Sequence, residues 1–196
     1  MFRTNSLAAV VMGVALASVP AFAQEFNHSE VSVQAFGSFV KTTTDNGIQQ
    51  SATNSGGVLA NYRYFFSNSS GIEANYGYSL NTQTYGLASG PLGVKSDNHE
   101  FSGAYVFRHK MHGFTPFAEA GAAGLVFDPR DTPGASTQTK AAFLYGAGAD
   151  FNLGSHFFLR AEYRGFVYDS PTFGLVAGAD RITHRAEPSA GFGYRF

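Results

Sequence analysis

The chain has 196 residues, a net charge of −1 and no cysteine, which excludes disulfides and thiol catalysis and argues against nucleic acid as a partner. Charged residues make up only 14% of the chain, against about 25% in ordinary soluble domains. The mean hydropathy of −0.10 is too polar for a helical membrane protein. A β-barrel with one lipid-facing and one lumen-facing side gives this combination.

The first 23 residues have the features of an export signal. Arg3 supplies the positive charge, residues 7–19 form an apolar run, and Ala21-Phe22-Ala23 offers small residues for cleavage. The run is too short to span a bilayer, although an uncleaved anchor helix is the alternative. We therefore predict a signal peptide over residues 1–23 and a single exported domain over residues 24–196.

The exported domain reads as eight strands, because apolar and polar residues alternate with a period of two. The predicted strands cover residues 31–40, 58–66, 72–81, 100–108, 114–127, 141–151, 157–167 and 183–196. Their connections alternate in length, with long polar loops at 41–55, 82–96, 128–140 and 168–181. Strands of about this length, with short turns at one end and long loops at the other, are typical of transmembrane barrels. The predicted fold is an all-β, eight-stranded antiparallel up-and-down barrel.

A soluble barrel and a transmembrane barrel differ in which face points inward, and the distribution of charge separates them. One face of every predicted strand carries no Asp, Glu, Lys or Arg. If that face pointed inward, its aromatic rings would overfill an eight-stranded interior. A cation on the lipid side costs roughly 2–4 kcal/mol at mid-depth, so we predict charges inside and aromatic rings outside.

The predicted luminal charge network comprises Arg63, Glu73, Glu100, Glu119, Asp150, Arg160, Glu162, Arg164 and Glu187, and Arg108, Arg185 and Arg195 lie on the same faces. The predicted lipid-facing aromatics are Tyr62, Tyr64, Phe66, Tyr76, Tyr78, Phe101, Tyr105, Phe107, Phe143, Tyr145, Phe151 and Tyr163. Inward glycines on the strands leave room for the long arginine and glutamate side chains.

The export signal, the eight strands and the ending Gly191-Phe192-Gly193-Tyr194-Arg195-Phe196 resemble the small outer-membrane β-barrel superfamily of Gram-negative bacteria, the OmpA transmembrane-domain and OmpX-like group. The resemblance implies an outer-membrane location, contact with membrane lipid and lipopolysaccharide, and a monomer. It further implies that Phe192, Tyr194 and Phe196 form the signal read by the outer-membrane assembly machinery. In that group an inward network of charged residues plugs the barrel.

The histidines offer only weak candidate sites. His109 and His112 flank a turn without a third metal ligand. A lipid-modifying enzyme would need a histidine with a serine or an acid on the same face. His99 and His184 are predicted to point outward, whereas the neighbouring acids and serines point inward. We therefore predict no catalytic, cofactor-binding or metal-binding residue.

The leading hypothesis is a non-enzymatic barrel with a plugged lumen that contributes to envelope integrity or to surface interaction through its four polar loops. The alternatives are a narrow pore for small ions or solutes and a membrane-embedded lipid-modifying enzyme.

Overall fold

The computed structural model describes residues 28–45, 48–87, 90–130, 132–175 and 181–196. The predicted signal peptide lies outside the described residues. Strands form almost the whole described chain, and no helix in it is long and apolar enough to cross a membrane. The strands are β1 (Ser29–Val40), β2 (Thr43–Asp45), β3 (Ile48–Ala52), β4 (Ser55–Phe65), β5 (Ser70–Leu87), β6 (Gly90–Arg108), β7 (Phe114–Arg130), β8 (Gln138–Asn152), β9 (Phe157–Asp169) and β10 (Ile182–Arg195).

Eight long strands close into one antiparallel barrel. Each pairs with its neighbours along the chain, and β1 pairs with β4 on one side and with β10 on the other. The first and last strands stay paired up to the C-terminus, where Phe196 donates its backbone N–H to the carbonyl of Ser29 at 3.0 Å. Closure gives each of these eight strands a neighbour on both sides around the barrel, so the barrel has no edge strand. The predicted fold class is confirmed.

The predicted loop at 41–55 is partly wrong, because β2 and β3 form a short hairpin within it. This hairpin continues the sheet by pairing β3 with the outer part of β5, where Gln50 is opposite Tyr85. Thr43 and Ile48 are β-branched residues that suit a strand. The polar composition of the segment matched a loop because the hairpin lies beyond the main barrel and contributes one large apolar side chain, Ile48, to the buried interior.

The predicted loop at 82–96 is also wrong over its described residues. Strands β5 and β6 continue past the predicted ends and stay paired up to Leu87 and Gly90. The glycines of this stretch were interpreted as loop signals, yet only Gly90 has a positive φ, of 119°. Residues 81–84 are all polar, and Tyr85 lies on the opposite parity to Tyr76 and Tyr78, so the alternation of apolar and polar residues gave no signal for the longer hairpin.

The barrel has two different ends. The short-turn end carries the connections at 66–69, 109–113 and 153–156, together with residues 28 and 196. The long-loop end carries the β2–β3 hairpin, the tip of the β5–β6 hairpin and the connections from β7 to β8 and from β9 to β10. Burial alternates along every long strand, so each strand presents one face to the interior and one to the outside.

Candidate functional site

The barrel interior is the candidate site, because the inward faces of the strands gather the chain's charged residues there. All nine charges of the predicted luminal network are buried, and none is more than 5% exposed. They are Arg63, Glu73, Glu100, Glu119, Asp150, Arg160, Glu162, Arg164 and Glu187. Arg108 and Arg185 are buried beside them, and Arg195 is partly buried. The ion pairs divide this set into three clusters along the barrel axis.

The central cluster consists of Arg63, Glu73, Glu119 and Glu162. Arg63 and Glu73 are opposite each other in the β4–β5 ladder and form an ion pair. The Nη2 atom of Arg63 lies 2.9 Å from Glu162 Oε1 and 3.3 Å from Glu119 Oε2. The three carboxylates place oxygen atoms within 4.8 Å of one another, as cation ligands would. The guanidinium group of Arg63 is their shared cationic partner.

Close packing holds the central cluster in place. A Cβ atom added to Gly146 would lie 2.7 Å from Glu119 Oε1 and 2.9 Å from the carbonyl oxygen of Tyr163. Asn75 donates to Glu73 Oε1 at 2.5 Å and accepts from Asn61 at 2.7 Å. A side chain at position 146 would therefore displace the carboxylate, which explains the glycine on physical grounds.

The loop-side cluster is a quartet of Arg164, Arg185, Glu100 and Glu187. Arg164 contacts Glu100 and Glu187, each at 2.7 Å. Arg185 contacts the same two carboxylates, each at 2.9 Å. Each charge thus has two partners of opposite sign, and the quartet is neutral as a whole. Such reciprocal pairing offsets the cost of removing four charges from water.

The turn-side cluster consists of Glu30, Arg108, Asp150, Arg160 and Arg195. Glu30 lies 2.6 Å from Arg108, 2.9 Å from Arg160 and 3.0 Å from Arg195. Asp150 contacts Arg160 at 2.7 Å and Arg195 at 3.3 Å. Two carboxylates are therefore shared by three guanidinium groups, which leaves the cluster with one excess positive charge.

Sequence reasoning missed Glu30, because it precedes the predicted first strand at 31–40. The observed strand β1 begins at Ser29, and Glu30 is fully buried. Glu30 has the same parity as Ser32 and Gln34, the buried polar residues of that strand. Extending that alternation by one position would have identified it.

Aromatic rings inside the barrel stack on the arginines, which the sequence analysis did not anticipate. Phenylalanines alternate into the inward faces together with the charges, and the guanidinium planes lie over them. The distances from guanidinium carbon to ring centroid are 3.3 Å for Arg108 and Phe65, 3.9 Å for Arg63 and Phe117, 4.5 Å for Arg195 and Phe158, and 4.6 Å for Arg185 and Phe166. Stacking of this kind stabilises a desolvated guanidinium group by about 2 kcal/mol.

An apolar cap fills the interior at the long-loop end. Its buried members include Tyr85, Val94, Leu125, Phe127, Leu144, Phe166, Tyr168 and Phe173. The Tyr85 hydroxyl donates to the carbonyl of Pro171 at 2.6 Å, which ties the β9–β10 connection to β5. Phe173 has a φ of 53°, unusual for a bulky residue, and its ring is fully buried. Packing in the cap thus outweighs the local backbone preference.

The predicted lipid-facing aromatics all lie on the outer surface of the barrel. Ten are exposed: Tyr62, Tyr64, Phe66, Phe101, Tyr105, Phe107, Phe143, Tyr145, Phe151 and Tyr163. Tyr76 and Tyr78 are half-buried beside His99, whose Nδ1 atom lies 2.9 Å from the Tyr76 hydroxyl.

The aromatic residues of the C-terminal strand share that outer face. Phe192 and Tyr194 are exposed, and Phe196 is half-buried. The ring of Tyr194 stacks on Phe196 with a centroid distance of 6.2 Å and meets the edge of Phe157 at 5.1 Å. The end of the chain therefore presents a continuous aromatic patch at the short-turn end.

The two outward histidines of the predicted strands, His99 and His184, contact tyrosines and lie apart from the luminal acids, although Asp97 shares the outer face with His99 and Ser155 Oγ lies 2.8 Å from His156 Nδ1. His184 Nε2 lies 2.7 Å from the Tyr145 hydroxyl on the outer surface, whereas Glu187 is inside the barrel. His99 points outward in the same way, and Glu100 points inward. Within the described residues, the group with metal-ligand spacing is the carboxylate trio around Arg63, not the turn pair His109 and His112.

A closed antiparallel wall, an apolar aromatic outer surface and a charged interior define a transmembrane β-barrel of the bacterial outer-membrane type. The sequence from residue 8 to residue 196 matches the outer membrane protein beta-barrel domain family, and the chain belongs to that family. The protein is thus an outer-membrane barrel of Gram-negative bacteria. The short-turn end is then periplasmic and the long-loop end extracellular.

Solved structures of outer-membrane barrels have the same fold. Neisserial surface protein A aligns with a TM-score of 0.63 at 14% identity, covering 86% of this chain and 97% of that one. OprG from Pseudomonas aeruginosa aligns with a TM-score of 0.61 at 15% identity, covering 86% of this chain and 96% of that one. Ail from Yersinia pestis aligns with a TM-score of 0.55 at 20% identity, covering 86% of this chain and 98% of that one. No curated protein matches the sequence significantly. These likenesses show the fold and leave the function to the site.

Proposed function

We propose that the protein is a non-enzymatic structural component of the outer membrane, with a lumen plugged by its own side chains. The observation that carries this proposal is the stack of three ion-paired clusters beneath the apolar cap. Large buried side chains occupy successive levels of the lumen, including Arg160, Arg164, Phe158 and Phe127. An eight-stranded barrel has just enough interior for side chains, so such a filling opposes a continuous aqueous path.

Conductance in planar bilayers tests the plug against the narrow-pore alternative. We expect the purified barrel to give no discrete current steps above the bare membrane. If the interior conducted, steps would appear, and Glu162→Gln would change their cation selectivity because it removes a luminal charge. Steps that respond to this substitution would refute the plugged lumen.

The lipid-modifying alternative is tested by the composition of lipid A. We expect identical lipid A from cells with and without the protein, since the outward histidines are paired with tyrosines and lie apart from the luminal acids. A modified species that depends on the protein would contradict the non-enzymatic proposal.

The same proposal gives the twelve outward aromatics a role in lipid contact and the C-terminal aromatic patch a role in assembly. The aromatics would contact membrane lipid and lipopolysaccharide, and Phe192, Tyr194 and Phe196 would present the signal to the assembly machinery. We expect Phe196→Ala to lower the amount of folded barrel in the outer membrane while periplasmic export is unchanged. Phe157→Ala, which removes a neighbouring exposed ring, is the matched control. Equal losses from both variants would contradict a specific signal.

Surface interaction through the extracellular loops completes the proposal. Ail was solved in complex with the heparin analogue sucrose octasulfate, which illustrates ligand binding by a barrel of this fold. Here the β2–β3 hairpin and the β5–β6 extension build the loop end outward. We expect a deletion strain to become sensitive to detergent and a variant lacking residues 43–52 to restore resistance. A deletion strain as resistant as the wild type would contradict a role in envelope integrity.

A further inference from the structure

The periplasmic end of the barrel contains an open pocket of about 180 Å³. It lies between the turns that follow β6 and β8 and the end of β10. The polar residues that line it are Arg108, Lys110, Thr115, Asn152, Ser155 and Arg195. None of the residues around this pocket has a role in the plug except the two arginines, which belong to the turn-side cluster.

The pocket lies in a region with an excess of positive charge. In the turn-side cluster, Glu30 and Asp150 are shared by three arginines. Lys110 adds a further cation at the rim. Burial, together with repulsion by Arg108 and Arg195, lowers the pKa of the Lys110 ammonium group. Like charges gathered around a pocket create a local potential that attracts an anion.

Arg108 supplies an independent indication of a ligand, because one of its nitrogens is buried without a partner. Its Nη1 atom donates to Glu30 at 2.6 Å, and its Nε atom donates to the carbonyl of Asn68 at 3.1 Å. Its Nη2 atom has no hydrogen-bond partner, and the side chain is buried, with only 3% of its surface exposed. A buried donor left unsatisfied is costly, and an anion that reached this nitrogen from the pocket that Arg108 lines would satisfy it.

The arrangement of donors favours one chemical class of anion. A carboxylate is bound best by two parallel N–H groups of one arginine. Neither arginine offers that fork, because Arg108 has two of its three nitrogens engaged and Arg195 donates from all three. The other donors around the pocket are one guanidinium N–H of Arg108, the Lys110 ammonium group and the hydroxyls of Thr115 and Ser155, of which Ser155 Oγ also lies 2.8 Å from His156 Nδ1. Donors from several directions suit a tetrahedral oxyanion.

We propose that this periplasmic pocket binds a phosphate group, held by Arg108 and Lys110. The group can come from two sources, a soluble phosphate in the periplasm or the headgroup of a phospholipid in the inner leaflet. The proposal does not depend on whether the lumen is plugged or on what the extracellular loops contact.

Binding is measured on the full barrel purified in a phosphate-free maltoside detergent. Titration with inorganic phosphate, followed by calorimetry, tests the soluble source. Native mass spectrometry after addition of phosphatidylglycerol tests the headgroup. Lys110→Gln removes a cation from an exposed turn and is expected to leave folding intact. Lys95→Gln removes one from the opposite end of the barrel and is the matched control.

We expect saturable binding in at least one of the two measurements, with roughly tenfold weaker binding for Lys110→Gln, equivalent to about 1.4 kcal/mol. Lys95→Gln should bind as the wild type does. Binding of inorganic phosphate identifies the soluble source, and retention of phosphatidylglycerol alone identifies the headgroup. The proposal is overturned if neither ligand binds, or if the two lysine variants weaken binding equally.

Discussion

The loop-side quartet allows a sharp test of how the interior is stabilised. Arg164→Met leaves Arg185 facing two carboxylates, and Glu187→Leu leaves Glu100 facing two guanidinium groups. The double variant removes one charge of each sign. The ion pair between Arg185 and Glu100 at 2.9 Å then remains, so the interior is again neutral at this level.

The expected energies follow from the burial of the quartet, in which no side chain is more than 4% exposed. Removing one partner of a buried pair typically costs about 3–5 kcal/mol, because a charge is left uncompensated. Replacing both partners with apolar groups is often nearly neutral. We therefore expect each single variant to lose about 3–5 kcal/mol of unfolding free energy and the double variant to lose less than either.

Urea unfolding of the barrel in lipid vesicles, followed by tyrosine fluorescence because the chain has no tryptophan, measures all four members of the cycle. Arg130→Met is the control. Its side chain is 45% exposed and pairs with Asp97 near the extracellular end, so the loss should stay within about 1 kcal/mol. Additive losses in the double variant, or a loss for Arg164→Met no larger than that of the control, would refute the reasoning.

Two further predictions concern the wall and the packing inside it. Phe101→Arg places a cation on the outer face of β6 and should cost roughly 2–4 kcal/mol at mid-depth, whereas Phe101→Leu should assemble normally. Heat-modifiable gel migration reports the folded fraction of each variant. Equal assembly of the two variants would contradict the outward placement of Phe101. Gly146→Ala should cost about 1–3 kcal/mol by overpacking against Glu119, measured by urea unfolding. Gly154→Ala meets no atom within 4 Å and should be neutral, so equal losses would contradict the packing argument.

Much of the barrel wall could be predicted from the sequence, because successive residues of a strand point to opposite faces and so alternate in polarity along the chain. Glu119 illustrates this, because it is the only charged residue in the predicted strand at 114–127, whose other residues are nearly all small or apolar. The structure places Glu119 inside and its neighbour Ala118 outside. One charged residue and the period of two therefore identify the inward face of a strand even when the contrast in polarity between its faces is weak.

The ion-pair clusters could not be predicted, because they depend on contacts between strands that are distant in sequence. Arg63 and Glu73 are neighbours in one hairpin, and their pairing follows from its register. Arg63 and Glu162 are 99 positions apart and meet only across the closed barrel. Period and turn chemistry give no information on which inward side chains share a level.

The extension of β5 and β6 reverses the polarity of the wall along its height. At membrane level the outer face is apolar and the inner face charged. Beyond it, the outer face carries Lys95, Asp97 and Arg130, and the inner face carries Tyr85 and Phe127 of the apolar cap. Both predicted patterns for a barrel, transmembrane and soluble, therefore occur in one closed wall. The hydrophobic effect requires this inversion, because the same strands pass from hydrocarbon into water and must bury apolar surface on the opposite side.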